Sequence, residues 1–238
     1  MPEFSIVIPL YNEERRLPKT AGQIFDFFKN QNRPVEIIFV NDGSKDRTMD
    51  ILDEYKKDRE FRVVSYDENR GKGYAVKQGA LAAQGDWVIF FDIDLATPLA
   101  EFNRLLEARQ PEDKIIIGSR RLENSQIKKS ESNIRTFLGH GFTKISNILV
   151  PGSKDFTCGF KCFSREAAQK IFPVAQIDRW GFDTELLYIA KLKKLPIKQI
   201  PVQWAHDGDS RVKVFSAIIS SLRELFQMKG NQIKGLYK

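Results

Sequence analysis

Short apolar runs alternate with amphipathic ones along the first half of the chain. FSIVIP, from Phe4 to Pro9, is β-rich, and NEE then opens a helical stretch that continues through Phe28. VEIIFV, from Val35 to Val40, is a second apolar run and ends in Asn41-Asp42-Gly43-Ser44. Thr48, Ile51, Leu52 and Tyr55 follow at i, i+3, i+4 and i+7, the spacing of one helix face. FRVVSY reads as a third strand, and a helix carrying Ala75, Val76, Ala80 and Leu81 follows NRGKG. DWVIFFDID reads as a fourth strand and KIIIGS (Lys114 to Ser119) as a fifth. Continuously apolar strands separated by helices predict an α/β fold: a mostly parallel central sheet with helices on both faces. Ligands of such sheets lie beyond the carboxyl ends of the strands. Tyr11–Glu13, Asn41–Gly43, Asp67–Asn69, Asp92–Asp94 and Ser119–Arg120 all fall at those ends, which predicts one convergent rim.

The second half is less regular. Arg121–Glu131 is polar and charged and reads as a mobile loop. A helix is expected from Ser132 to about Val150. Then come a strand at TCGFKCF, a short helix from Arg165, a helix after Trp180, a strand at IKQIPVQW, the polar HDGDSR and a final helix. There is no internal repeat and no low-complexity tract, so residues 1–238 are expected to form a single domain.

Composition narrows the partners. Lys and Arg number 38 against 31 Asp and Glu, a net charge of +7, which favours anionic ligands. The basic residues are not interleaved with aromatics, so nucleic acid is not an expected partner. The only cysteines are Cys158 and Cys162 and the only histidines His140 and His206, too few for a disulfide framework or a zinc ribbon. The start lacks a basic leader and a cleavage site, and no apolar run reaches a membrane span. A cytoplasmic protein that meets a membrane only peripherally is expected.

Asp92-Ile93-Asp94 is the sharpest chemical feature. Acids at i and i+2 of a strand share a face. Two such carboxylates repel unless a cation sits beside them. Mg²⁺ or Mn²⁺ bound this way keeps positions open for substrate phosphates. The alternative is a pair of helix-capping acids, but Thr97, before Pro98, is the better cap. Asp42 alone reads as turn chemistry, with Ser44 or Asp46 capping the next helix. Beside the other strand ends it reads equally as a contact to a nucleotide base or ribose. Asn69-Arg70-Gly71-Lys72-Gly73 places glycines and a lysine before a helix, a setting for an anion, but its spacing is neither a P-loop nor a dinucleotide fingerprint. Arg120 ends a strand at the rim and suits a phosphate. Asp183 and Glu185 open a helix, where acids suit the helix dipole or serve as a sugar contact or base.

In this order, IVIPLYNEE, FVNDGSKDRT, NRGKGYA, FFDIDLATP and GSRR resemble the motifs of inverting family-two glycosyltransferases with the A-type nucleotide-sugar (GT-A, Rossmann-like) fold. DFTCGFKCF, RWGFDTELLYIAKLKKLPIKQIPVQW and GDSR are similar to the dolichyl-phosphate glucosyltransferase branch, close to the mannosyltransferase branch. The likeness covers nearly the whole chain. It implies a nucleotide-diphospho-sugar transferase fold with a nucleotide-sugar-binding half (1–120) and an acceptor-binding half (121–238). It implies that Pro9, Tyr11, Glu13 and Asp42 hold uridine or guanosine, that Lys72 lies near the nucleotide, and that Asp92 and Asp94 hold the nucleotide and Mg²⁺ or Mn²⁺. Arg120 and Arg135 would hold the acceptor phosphate or donor diphosphate, and Ser210 and Arg211 would close over the donor phosphates. Ala96 stands where mannosyl enzymes place a metal-binding Gln, as in the glucosyl branch, and Asn41 replaces the first acid of the usual D-D-G-S. No run matches the N-terminal membrane anchor of the eukaryotic glucosyl enzymes or the C-terminal spans of some bacterial relatives.

The reaction so implied moves a hexose, glucose first, from a nucleoside-diphosphate sugar (UDP-glucose) to a polyprenyl (dolichyl or undecaprenyl) phosphate with inversion. GDP-mannose is the alternative donor, and a saccharide hydroxyl, with Asp183 or Glu185 as base, the alternative acceptor. A phosphate is already anionic at neutral pH and needs no base. The lipid tail calls for a membrane-facing surface. FLGHGFTKISNILV, with Phe137, Leu138, Phe142, Ile145, Ile148 and Leu149, reads first as core packing. The final amphipathic, basic stretch reads as a membrane contact or the face of a homo-oligomer.

Overall fold

The computed structural model describes residues 1–129, 133–205 and 214–238, with side chains at 128–140 and 206–222 left outside the description. The expected alternation opens the chain: β1 (Phe4–Leu10), α1 (Leu17–Lys29), β2 (Val35–Asp42), α2 (Thr48–Tyr55), β3 (Arg62–Tyr66), α3 (Lys72–Ala82) and β4 (Trp87–Phe90). Then follow α4 (Glu101–Ala108), β5 (Ile115–Ser119), β6 (Gln126–Lys129), α5 (Asn133–Leu149), β7 (Lys161–Ser164) and α6 (Arg165–Ile171). The chain closes with α7 (Phe182–Leu192), β8 (Ile197–Pro201), β9 (Gln203–Ala205) and α8 (Val214–Ile233).

Seven strands form one sheet in the order β3-β2-β1-β4-β7-β5-β8, parallel except for β7, which runs antiparallel to both neighbours. β1 is central and buried on both faces, which is why its sequence is continuously apolar. Its side chains still alternate. Val7 joins the core beneath α3, α6 and α7, while Ile6 and Ile8 join the core beneath α1 and α4. Each such buried side chain contributes about 1.5–3 kcal/mol of apolar burial. Gly79 lets α3 lie directly on β1, since a Cβ there would come 2.2 Å from Val7 Cγ1. From β1 the chain winds outward to β2 and β3, then crosses to the other side for β4. The switch point therefore lies between β1 and β4, where open α/β sheets place their ligands.

Several sequence expectations change here. The apolar strand β4 ends at Phe90, so the two acids lie on a turn beyond it. Thr97 caps nothing, because α4 starts only at Glu101. Arg121–Glu131, read as a loop, contains β6, which pairs in parallel with β9. IKQIPVQW is two strands: Val202 separates them, its N–H bonding to the Ser119 carbonyl, and β9 leaves the main sheet to meet β6. Phe142 and Leu149 of α5 are core residues as expected, but Ile145 and Ile148 are exposed.

Candidate active site

The acid pair is built by a tight turn. Leu95 N–H returns to the Asp92 carbonyl at 3.1 Å, and Leu95 takes a left-handed backbone (φ 50°) that a bulky residue rarely adopts. Ala96 N–H donates to Asp94 Oδ1 at 3.0 Å. The turn, rather than a strand pleat, brings the two carboxylates together. Burial first, then the charge of Asp92, holds the Asp94 carboxyl above the usual aspartate range, against the pull of Lys72 and Arg16.

Lys72, the first residue of α3, reaches across to Asp92, Nζ to Oδ1 at 2.5 Å. Burial pushes its ammonium down, but Asp92, Asp183 and Asp94 outweigh that and leave it above the usual lysine value. Gly159 underlies the same carboxylate: a Cβ there would fall 2.0 Å from Asp92 Oδ2.

Asp42 is placed differently from the expectation. It is buried, and its carboxylate accepts from Asn69 Nδ2 (2.7 Å), Arg70 N (2.8 Å) and Gly71 N (2.9 Å). The backbone N–H groups of Arg70 and Gly71 in the Asn69–Gly73 turn therefore point to Asp42. Gly71 takes a positive φ of 113°, and a Cβ on it would meet the Asp178 carbonyl at 2.5 Å. Asn41, in place of an acid, donates to Ser65 and accepts from Ser44 N.

The loops after β1 and β2 are knit together. Asn12 N donates to Ser44 Oγ, Glu13 N to Thr48 Oγ1, Glu14 N to Asp46 Oδ2, and Lys45 N to Asn12 Oδ1. Asn12 also holds a positive φ (53°), which its short amide tolerates. Glu13 binds Arg16 Nη1 through both oxygens at 3.0 and 2.8 Å. Tyr11 projects to solvent and Pro9 is half-buried in β1 beside β2.

Arg120, ending β5, is gripped by Asp155 through Nε (2.7 Å) and Nη2 (2.8 Å), reaches Thr157, and lies over the Trp204 ring at 5.3 Å. Asp183 is buried and paired with the fully buried Lys161. Glu185 turns away from the rim. Fully buried, it accepts from Gln176 N, Ile177 N (2.8 Å) and Tyr237 Oη (2.6 Å), so it clamps the C-terminus and the α7 approach and is not placed as a base. Arg135 lies on α5 with its side chain outside the described residues, as do Ser210 and Arg211 entirely.

The structure therefore gathers Asp92, Asp94, Lys72 and Asp183 at the switch point, with Arg16 in electrostatic reach of Asp94. Sequence reasoning missed Arg16, Asp155, Gly159 and Lys161. Only Lys161, a lone charge in the apolar run GFKCF, carried a local signal.

Among the described residues, no group of three or more His, Cys, Asp and Glu side chains is arranged to hold a metal ion. Asp92 and Asp94 nonetheless fit a hard divalent cation: both are oxygen donors, the charge of Asp92 is felt at Asp94, and such an ion takes its other ligands from water and phosphate.

The doubly wound sheet, with paired acids at its switch point, has the GT-A fold of glycosyltransferases. The chain belongs to glycosyl transferase family 2, whose profile it matches over residues 5–172. It is 37% identical to dolichyl-phosphate beta-glucosyltransferase of Drosophila melanogaster, over 99% of this chain and 77% of that one. It is 35% identical to the Homo sapiens protein of the same name, over 99% and 78%. Among solved structures, it superposes on glucosyl-3-phosphoglycerate synthase from Mycobacterium tuberculosis in complex with Mn²⁺, UDP-glucose and phosphoglyceric acid. That match has a TM-score of 0.70 at 20% identity, over 96% of this chain and 80% of that one.

Proposed function

We propose that the protein transfers glucose from UDP-glucose to a polyprenyl phosphate of the dolichyl or undecaprenyl type, with inversion at the sugar carbon. The observation that carries this reading is the likeness, along 98–99% of the chain, to glucosyltransferases named for dolichyl phosphate. The site supports it. Glu185 is committed to backbone donors and to Tyr237, so it does not stand open to take a proton from a hydroxyl, and Asp183 is paired with Lys161. A phosphate oxygen arrives already charged and needs no such group.

Asp94, with Asp92 beside it, would hold Mg²⁺ or Mn²⁺. When bound, that ion supplies positive charge to the departing diphosphate. Lys72 holds Asp92 in place and adds a cation at the same point. The knit β1 and β2 loops, with Pro9, Tyr11, Glu13 and Asp42, form the wall assigned to the nucleoside, with Asp42 shaping the wall from behind. Arg120, oriented by Asp155, presents positive charge to a phosphate. Arg135, Ser210 and Arg211 are assigned to phosphates by family likeness.

The lipid tail calls for a surface at the membrane. Phe226 and Ile233 of α8 are 80% and 85% exposed, Ile148 of α5 is 76% exposed, and Arg223, Lys229, Lys234 and Lys238 lie in the same C-terminal stretch of sequence as the first two. An apolar stripe flanked by cations suits the anionic cytoplasmic leaflet. No described helix is long and apolar enough to cross a membrane.

The test is a panel of UDP- and GDP-sugars, each labelled in the sugar, offered with a polyprenyl phosphate and Mn²⁺. Labelled lipid from UDP-glucose is expected. Labelled lipid from GDP-mannose alone, or transfer to a saccharide hydroxyl but not to lipid phosphate, would overturn the proposal.

A further inference from the structure

Four ionisable side chains alternate in sign inward from the rim: Asp92, Lys72, Asp183 and Lys161. Lys72 bonds Asp92 at 2.5 Å and also feels the charge of Asp183. Lys161 donates to Asp183 and, at 2.7 Å, to the Cys158 carbonyl. The two ammonium groups lie over different rings, Lys72 over Phe182 at 5.9 Å and Lys161 over Phe90 at 5.4 Å. Those rings pack against each other at 6.0 Å. The first turns of α3 and α7 are pressed together, because a Cβ at Gly73 would fall 2.5 Å from Phe182 Cβ. Lys161 has no exposed surface at all, and a buried ammonium is costly unless it is paired. Its partner is Asp183, which follows Phe182 in the first turn of α7, packed against the first turn of α3 that carries Lys72.

We infer that Asp183 is a positioning residue: counter-charged from below by Lys161, it fixes the Lys72 ammonium on Asp92 and so sets the acid pair in one arrangement for the donor. This rests on the proposed reading of the rim as the sugar-nucleotide site, but not on the identity of the acceptor. Burial holds the Asp183 carboxyl above the usual aspartate range, against the pull of Lys161 and then Lys72. Between them they use it as a counter-ion.

The test measures binding of UDP and GDP by titration calorimetry with Mn²⁺ present, together with sugar transfer and melting temperature. The variants are Lys72→Met, Asp183→Asn, the two combined, and the charge-free pair Lys161→Met/Asp183→Leu. Asp183→Asn is expected to weaken binding of the preferred nucleotide about ten-fold, a coupling of the size seen within one ion-pair network. Combined with Lys72→Met, it should add nothing to the loss from Lys72→Met alone. The charge-free pair should recover the melting temperature but not the affinity. Three results would overturn the inference: losses that multiply in the combined variant, affinity that returns along with the melting temperature, or transfer abolished by Asp183→Asn with affinity intact. Wild-type protein that binds neither nucleotide would overturn it as well. Wild-type protein that binds UDP yet glucosylates no lipid phosphate would count against the proposed acceptor and leave this inference standing.

Discussion

The guanidinium of Arg120 and the carboxylate of Asp155 form a two-pronged ion pair. Nε meets Oδ2 at 2.7 Å, Nη2 meets Oδ1 at 2.8 Å, and the Arg120 backbone N–H adds a third contact at 3.1 Å. Paired donors of this kind fix orientation as well as energy. The pair ties the end of β5 to the segment before β7.

Burial would raise the Asp155 carboxyl, but Arg120 overrides it and holds it well below the usual carboxylate range. A depressed folded value gives stability that is present above the unfolded value, about 4, and is lost as pH falls through the folded one. Asp155→Asn, which leaves Arg120 without its anion, should cost about 3 kcal/mol at pH 7 in urea unfolding. The gap from wild type should narrow steadily below about pH 4. A gap that is absent at pH 7, or constant with pH, would show that the pair contributes nothing.

Asp94 stands in the opposite condition. Burial and the neighbouring Asp92 raise its carboxyl, so the folded state holds its proton more tightly than the unfolded one. Its ionisation therefore opposes folding as pH rises through and above the ordinary aspartate value. Asp94→Asn should melt no lower than wild type at pH 7, by differential scanning calorimetry, while losing transfer at least about a thousand-fold. Chelator should abolish wild-type transfer, and added Mn²⁺ or Mg²⁺ should restore it. Wild-type turnover in the variant would remove Asp94 from the metal site.

Gly159 leaves room for the Asp92 carboxylate. In Gly159→Ala the new methyl would sit 2.0 Å from Oδ2, and the side chain, not the backbone, must give way. Moving it breaks the contact with Lys72. Transfer should fall about ten- to a hundred-fold, with a stability loss of no more than about 1–2 kcal/mol, because a displaced group near the chemistry costs rate before it costs the fold. Equal losses in both measurements would mean that Gly159 serves packing alone.

Phe226 and Ile233 lie seven residues apart on α8, on one stripe of the helix and largely exposed. Replacing both with Asp should lower co-sedimentation with vesicles containing phosphatidylserine by ten-fold or more, since each side chain carries on the order of 1.5–3 kcal/mol of apolar transfer energy. Transfer to a short, water-soluble prenyl phosphate should be unchanged. Unaltered vesicle binding would move the membrane face elsewhere.

The alternation of apolar runs was enough to determine the doubly wound half, from β1 to β4 with its three helices. A strand buried on both faces must be continuously apolar, and an amphipathic helix must repeat every 3.6 residues. The acids at Asp92 and Asp94 were legible for the same reason: charges directly after WVIFF have to sit where the strand leaves the core. Their geometry was not legible, because the Asp92 carboxylate meets Lys72 and Gly159, which are distant in sequence. The antiparallel insertion of β7 between β4 and β5 left no periodic trace either, since four residues are too few to reveal direction. Nor could the sequence distinguish Asp42, Asp183 and Glu185 as internal partners from ligands at the rim. A carboxylate looks the same in a sequence whether its oxygens meet backbone N–H groups, a buried lysine or a substrate. Which of these it meets depends on residues such as Asn69, Lys161 and Tyr237, 27, 22 and 52 positions away, that only the folded chain brings within hydrogen-bond distance.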